Sequence, residues 1–537
     1  MKNIKLLLGI ILEVLIVMGM YYFMLPPINL HSVSFWGFVF VALIIWGFIY
    51  LIVCSTERIE RIFNGRRINV QNKFSIASFI IAFAIVIAII VVNFFASPLF
   101  NAKSYSRRIS VDETGDFTKD IKEVDFNSLP LLDRDSSEKL GDRVMGQMSD
   151  FVSQYYVSDQ YTQINYNNDI IRVTSLEYAD LIKWFSNRKE GVKGYITVNS
   201  VNGEANLVKL DKGMKYMPSA HFNEKLVRVL RFKYPTLIFG DEKFEIDNEG
   251  NPYWIIPTYS YTAFGLKTKV TGVVILDPIT GKSKHYNIDE VPTWVDNAYN
   301  ADLIIEQVND WGTYRNGFLN SVFGQKNVVN TTQGYNYLAM NDDVYLYTGI
   351  TSVLSDESNL GFILTNMRTG KTVFYSVPGA EEYSAMSSAE GQVQQMSYKS
   401  TFPLLINLNN KPTYLVSLKD AAGLVKMYGF IDVADYQKVV VTDVSQGIKT
   451  ASQNYLNQYA DEISEDLLIK ETIKVDRITS ANKNGNTYYY VTSNNKKYVI
   501  SIELSDELPF INAGDSIKIG YYESDKKIIE VVKFITE

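Results

Sequence analysis

The chain has 537 residues, 47% apolar and 21% charged, too long for one core and sized for roughly three or four globular units at ~100–200 residues each. Its single cysteine, Cys54, excludes an intramolecular disulfide and any cysteine-built metal cage, and for an exported body it suits a Gram-positive surface better than a disulfide-dependent secretory route. The net charge is −7, and because the first 97 residues hold seven Lys/Arg and three acids, the remainder carries 45 basic and 56 acidic residues, a balance that excludes nucleic acid and disfavours anionic wall polymers unless a local basic patch overrides it.

Three apolar runs open the chain, at 6–25, 33–53 and 76–95, each close to the ~20 residues that cross a bilayer. The first is too long, and too soon followed by another, to be a cleaved signal peptide. Residues 54–75 carry Arg58, Arg61, Arg66, Arg67 and Lys73, whereas 26–32 carry no Lys or Arg. The positive-inside bias therefore predicts a cytoplasmic N-terminus and 54–75 loop, and an extracytoplasmic body from residue 98 onward. Lys103, Arg107 and Arg108 pull weakly the other way. Glu13 falls within the first run, where an ionisable group marks a contact with another helix or subunit, or stays protonated among its neighbours. Gly37 and Gly47 offer close helix packing in the second run.

From 98 to 189 the sequence predicts a polar stalk, with a strand at 108–111, entering a small α+β domain. Asp135 or Ser136 is placed to cap a helix, and strands 161–166 and 170–173 flank a hairpin turn at Asn167-Asn168-Asp169. Leu176, Ala179, Ile182 and Phe185, at steps of three, predict a helix whose stripe packs into a core.

A block then appears twice, at 190–292 and 358–442. The first copy has Gly194-Tyr195-Ile196, Asn199, a turn at Asn202-Gly203, a helix from Ser219 to Phe232, then Pro252-Tyr253 and Gly272. The second answers with Gly361-Phe362-Ile363, Asn366, a turn at Thr369-Gly370, a helix near Glu381 to Met396, then Pro412 and Gly429. The first helix presents Lys225, Arg228, Arg231 and Lys233, which read either as a solvated face or as a site for an anionic ligand or acidic partner. Tyr253-Trp254-Ile255-Ile256, followed by the strand and turn from Gly272 to Lys282, resembles PepSY domains. That resemblance implies extracytoplasmic α+β modules that restrain peptidases and have no agreed catalytic residues. Taken whole, the layout resembles that of uncharacterised Firmicute membrane proteins, which implies a location and no activity.

Between the copies, 293–357 is rich in aromatics, among them Trp294, Trp311 and Tyr337. These read as hairpin and core packing or as the lining of a glycan or peptide groove. A linker helix at 443–470 leads to 471–537, where five short strands, with turns including Asn484-Gly485, predict a small OB-like barrel. Its acidic balance argues against a phosphate-tracking groove.

The search for chemistry returns little. His31, His221 and His285 are too scattered for a metal pair. Gly281-Lys282-Ser283 and Gly370-Lys371-Thr372 copy the tail of a phosphate loop but sit in strand-to-strand turns. Asp247-Asn248-Glu249-Gly250 lacks the later acid of a calcium loop. Asp133, Asp135 and Asp142, or Glu381 with Glu382, supply carboxylate pairs by spacing alone, and Ser136-x-x-Lys139 matches a nucleophile motif in letters only. The expectation is an α+β protein with three N-terminal spans, no cofactor and no catalysis. It acts as a membrane-anchored scaffold or binding protein of the bacterial envelope whose partner is a protein or wall polymer, with oligomerisation open. Its rivals are a wall-active hydrolase built on a carboxylate pair, and an accessory subunit of a larger membrane complex.

Overall fold

The computed structural model describes residues 2–62, 73–147, 149–167, 169–353, 355–459, 468–483 and 486–535; most of the basic loop, Asn168 and the turn Asn484-Gly485 lie outside these. Helices α1 (Lys2–Met24), α2 (Val33–Ile62) and α3 (Lys73–Ala96) occupy the three apolar runs. Their windows Leu7–Met24, Val33–Leu51 and Ser75–Ala96 have mean hydropathies of 2.1, 2.1 and 3.1, and only 6, 11 and 17% of each is buried by protein. Apolar surface left bare on that scale is what a bilayer covers. Of the two predicted packing glycines, Gly47 serves, since a Cβ there would meet the Phe79 ring at 2.8 Å, whereas Gly37 has nothing within 4 Å.

The predicted stalk is not a stalk. Helix α4 (Pro98–Tyr105) leads to β1 (Val111–Gly115), and β1 joins a sheet as the parallel neighbour of β16 (Thr372–Tyr375). Arg108, whose side chain is 4% exposed, ties this entry to Glu306 at 2.6 Å and Asp310 at 2.5 Å. Next come α5 (Phe117–Asp120) and a connection that sinks Phe117, Ile121, Leu129 and Leu131 into the core beneath Leu404 and Phe430. Polar composition hid this anchoring, because Phe117, Ile121, Leu129 and Leu131 are scattered apolar residues in a polar segment, and each points inward.

The first unit begins at α6 (Arg134–Gly146), capped by Asp133 rather than Asp135 or Ser136, with the Ser136 amide donating at 3.0 Å. After α7 (Ser149–Val152) come β2 (Tyr155–Val157), β3 (Thr162–Tyr166), β4 (Asp169–Tyr178), α8 (Leu181–Asn187), β5 (Val192–Asn199) and β6 (Ala205–Met214). Their sheet has the order β2-β4-β5-β6, with β3 also on β4. The predicted helix through Leu176 and Phe185 is wrong in its first half. Residues 170–178 are buried on both faces of β4, so their apolar run reflects a covered strand, not a helical stripe. Helix α9 (Leu226–Lys233) follows, buried through Leu226 and Leu230. A second sheet closes the unit, formed by β7 (Ile238–Phe239), β8 (Lys243–Ile246), β9 (Pro252–Thr262), β10 (Lys267–Leu276) and β11 (Ser283–Asn287). Its order is β11-β10-β9-β7, with β8 also on β9.

The second unit repeats this plan. Helix α10 (Ala301–Tyr314), capped by Asn300, precedes β12 (Val329–Thr331), β13 (Asn336–Met340), β14 (Asp343–Ser352), β15 (Ser355–Asn366), β16 and β17 (Gly379–Ala380). The order β12-β14-β15-β16, with β13 on β14, matches the first sheet. Then α11 (Glu382–Gln392) leads to β18 (Lys399–Ser400), β19 (Leu404–Leu408), β20 (Lys411–Lys419), β21 (Val425–Asp432) and β22 (Val439–Asp443), ordered β18-β20-β21-β22 with β19 on β20. The β5–β6 and β15–β16 turns agree atom for atom. Asn199 Oδ1 accepts from the amides of Val201 and Asn202, and Asn366 Oδ1 from those of Arg368 and Thr369. Both then need a left-handed glycine, Gly203 at φ +76° and Gly370 at φ +71°. The predicted boundaries at 189/190 and 357/358 fall inside hydrogen-bonded sheets, between β4 and β5 and within β15. Each unit starts a helix and several strands earlier.

Helix α12 (Ile448–Tyr459) packs on β21 and β22 rather than standing as a free linker. The last sheet has six strands, not five: β23 (Leu468–Lys474), β24 (Arg477–Lys483), β25 (Asn486–Ser493), β26 (Lys496–Ser501), β27 (Ser516–Tyr522) and β28 (Ile529–Ile535), in the order β23-β27-β28-β26-β25-β24. The predicted first strand breaks at Val475-Asp476, and its halves take opposite edges of the sheet. These edges are not hydrogen-bonded to each other, so the sheet is not a closed barrel.

Candidate functional site

Helix α9 is where the first unit meets the membrane helices. The last carbonyls of a helix have no intrahelical donor, and cations near that end are favoured by the helix dipole. Two guanidinium groups meet this need at the end of α1. Arg228 Nε donates to Tyr22 O at 3.2 Å and Arg231 Nε to Leu25 O at 3.0 Å. The Arg228 guanidinium also lies over the Tyr22 ring, 4.0 Å from its centroid. Both arginines finish local turns, through Phe222 O at 2.6 Å and Leu237 O at 2.5 Å. They are 7 and 4% exposed, and burial pulls Arg231 down to about 10. The basic strip is therefore neither a solvated face nor an open anion site at these two positions. Lys225 stays half-exposed at the start of α9.

Other bonds complete the seat. The Ile28 amide donates to Pro235 O at 2.7 Å, and Asn29 Nδ2 to Thr236 O at 3.1 Å. The turn after β9 sits on α3, where Asn93 Nδ2 donates to Phe264 O at 3.0 Å and Asn93 Oδ1 accepts from the Phe264 amide at 3.1 Å. All these contacts fall on the end of the bundle that carries the 25–32 connection. Charge spacing alone did not reveal this, because the acceptors are backbone carbonyls some 200 positions away in sequence.

The aromatic candidates do not converge. Trp294 packs on Tyr253 with tilted rings at 5.0 Å, and Trp311, 8% exposed, packs on Phe374 beneath the second unit's first sheet. Tyr337, 5.6 Å from the Tyr335 ring, is the one that lines a cleft. Glu13 is half-buried within α1, and its Oε2 has no hydrogen-bond partner. Ser136 and Lys139 do not form a pair, since Lys139 Nζ donates to Ala422 O at 2.7 Å. Glu382 is wholly buried, held by Tyr347 at 2.8 Å and Asn359 at 3.0 Å, while Glu381 is half-buried at the N-cap of α11. Among the described residues no three His, Cys, Asp or Glu gather as a metal would need.

Three buried acids whose pKa rises were missed from sequence. Burial pushes Glu177 up to about 7, although Ser175 and Ser219 bond it. Glu245, fully buried, is likewise pushed to about 7 and accepts from the amides of Asp296 and Asn297. Asp296 is raised by its own burial and by Glu245.

Several openings among the described residues reach ligand size, among them the two that follow. A groove of about 710 Å³ crosses the first unit between Tyr195, Asn206 and the turn at Glu249, with acids and lysines mixed along it. A cleft of about 340 Å³ lies between the two units, lined by Tyr161, Arg172 and Lys243 on one side and Tyr335, Tyr337 and Phe402 on the other. Glu177, Glu245 and Asp296 line neither of them. No known family model and no curated protein matches this chain.

Proposed function

We propose that this protein is a membrane-anchored extracytoplasmic scaffold or binding protein of the cell envelope. The observation that carries the reading is the seating of the body on the end of the helix bundle that carries the 25–32 connection. Arg58, Arg61 and Lys73 stand on α2 and α3 at the other end, and the positive-inside bias holds that end in the cytoplasm. The body then faces outward. Its two units read as PepSY-like modules from one internal duplication, which their equal strand orders and matching asparagine turns support. The terminal sheet reads as OB-like, because the halves of its broken first strand take both edges and β26 and β28 pair in parallel. The hydrolase alternative would need two convergent acids with a raised pKa in an open pocket, and Glu177, Glu245 and Asp296 are sealed inside.

The test is photo-crosslinking in intact cells from a probe residue at Tyr335 or Asn206, in the two openings. Adducts with an envelope protein or wall polymer, lost when the probe moves to a position outside both openings, are expected. Absence of position-dependent adducts from both openings would refute the reading.

A further inference from the structure

We propose that the cleft between the two units binds a small carboxylate ligand on Arg172. Arg172 sits on β4 opposite Gln163 of β3 and is 5% exposed. Its Nη2 donates to Gln163 Oε1 at 2.8 Å, leaving Arg172 Nη1 and Gln163 Nε2 both buried with no acceptor. A buried cation without a counter-charge is costly to a fold, and two adjacent donors lacking an acceptor describe the receptor for a planar anion. The carboxylates nearby do not fill this role. Asp133 is held by Lys419 and by the first turn of α6, and Asp135 lies exposed at the rim. Lys243 adds a second positive charge, while Tyr335, Tyr337 and Phe402 supply ring surface for the ligand's apolar part.

The second unit shows that the fold does not need a cation here. Arg172 faces Gln163 and Val198 across the sheet, and the residue in the same register of the second unit, between Tyr337 and Thr365, is Leu346, fully buried in an apolar core. Only the copy that borders the cleft on this strand carries arginine.

This site deepens the binding reading and rests on it. The full-length protein in detergent is titrated calorimetrically with N-acetyl-alanyl-alanine and with glucuronic acid, each beside its uncharged counterpart, the peptide amide and glucose. One of the acids should bind at least about tenfold more tightly than its counterpart, and which one identifies peptide or sugar as the source. Arg172→Leu, which copies the Leu346 of the second unit, should keep the unfolding midpoint and lose that binding. Gln163→Glu, which supplies an internal carboxylate, should lose it too. The site is refuted if neither acid binds up to about 10 mM, if charged and neutral probes bind alike, or if Arg172→Leu binds as the wild type does. Such a failure beside successful cell crosslinking would leave the broader reading standing.

A different observation points to a second contact, between the first unit and lipid. The β4–β5 connection holds α8, whereas the equivalent β14–β15 connection is a tight hairpin. Helix α8 pins Trp184 inside at 1% exposure and leaves Leu181, Ile182 and Phe185 at 50, 74 and 70%. Phe222, 59% exposed, packs on Trp184 at 5.7 Å, and its neighbour Asn223 accepts from the Tyr22 hydroxyl at the end of α1 at 3.4 Å. The apolar face is thus continuous with the point where α1 leaves the bilayer, and Lys189 stands exposed beside it. Such a face, with a basic flank, is suited to the headgroup layer. Native tryptophans replaced by Phe except for a new Phe185→Trp, the protein in vesicles carrying brominated lipid should show strong quenching of that tryptophan. Emission unaffected by bromine would overturn the assignment.

Discussion

Replacing Arg228 by alanine removes the side chain that joins the body most directly to α1. The lost interactions that span the junction are the bond to Tyr22 O and the guanidinium over the Tyr22 ring. A hydrogen bond to a charged donor contributes about 1.5–3 kcal/mol and a partly desolvated cation–π contact about 0.5–2 kcal/mol, so the seat should weaken by about 2–5 kcal/mol. At about 1.4 kcal/mol per decade, local opening rises roughly 30-fold to several-thousand-fold. Hydrogen exchange followed by mass spectrometry reads this at two amides bonded only across the junction, Ile28 to Pro235 O and Phe264 to Asn93 Oδ1. Faster exchange at both, with amides inside β4 and β14 unchanged, is the expected outcome. Exchange at Ile28 and Phe264 within about threefold of wild type would refute the reasoning, since ~0.7 kcal/mol lies well below the roughly 2 kcal/mol that the two interactions contribute together at least.

Stability should also depend on pH through the buried acids. Glu177 is raised from 4.5 to about 7, so the folded state holds a proton that the unfolded chain releases. Its contribution is complete below about pH 4.5 and is lost as pH climbs through about 7. Relative to Glu177→Gln, the wild-type unfolding free energy should fall by about 2–3 kcal/mol between about pH 5 and 8; parallel pH profiles would contradict the assignment. Gly203→Ala should cost about 1 kcal/mol for its left-handed backbone, with its Cβ only grazing Leu132 at 3.4 Å. Gly370→Ala should cost more in the same denaturation assay, because its Cβ would meet the Tyr299 ring at 2.5 Å; equal losses would show that the ring yields freely.

The features legible in sequence were those written in local pattern. The three spans follow from unbroken apolar runs, and the β3–β4 hairpin follows from Asn167, a residue type that accepts positive φ, here +52°. The repeat showed only where both copies kept their turn glycines. Its earlier half, α6 with β2–β4 against α10 with β12–β14, was hidden by the insertion of α8 and by a longer loop after α10. Segment 98–131 read as a stalk because β1 pairs with β16, a partner no local signal names. Arg172, Arg228 and Arg231 carry the same letters as solvated arginines, and only the placement of distant carbonyls or orphaned donors separates them. The raised acids were unreadable for the same reason, since their shift comes from burial made by other elements.

The central claim is that the body and the 25–32 connection share the outer face of the membrane. Single-cysteine proteins, made at Leu30 and Lys497 in a Cys54→Ser background, would be treated with a membrane-impermeant thiol reagent in intact cells, beside the natural Cys54 protein. Labelling at 30 and 497, with Cys54 reached only after lysis, is the predicted result. Labelling of Cys54 in intact cells while 30 and 497 stay silent would place the body in the cytoplasm and overturn the reading.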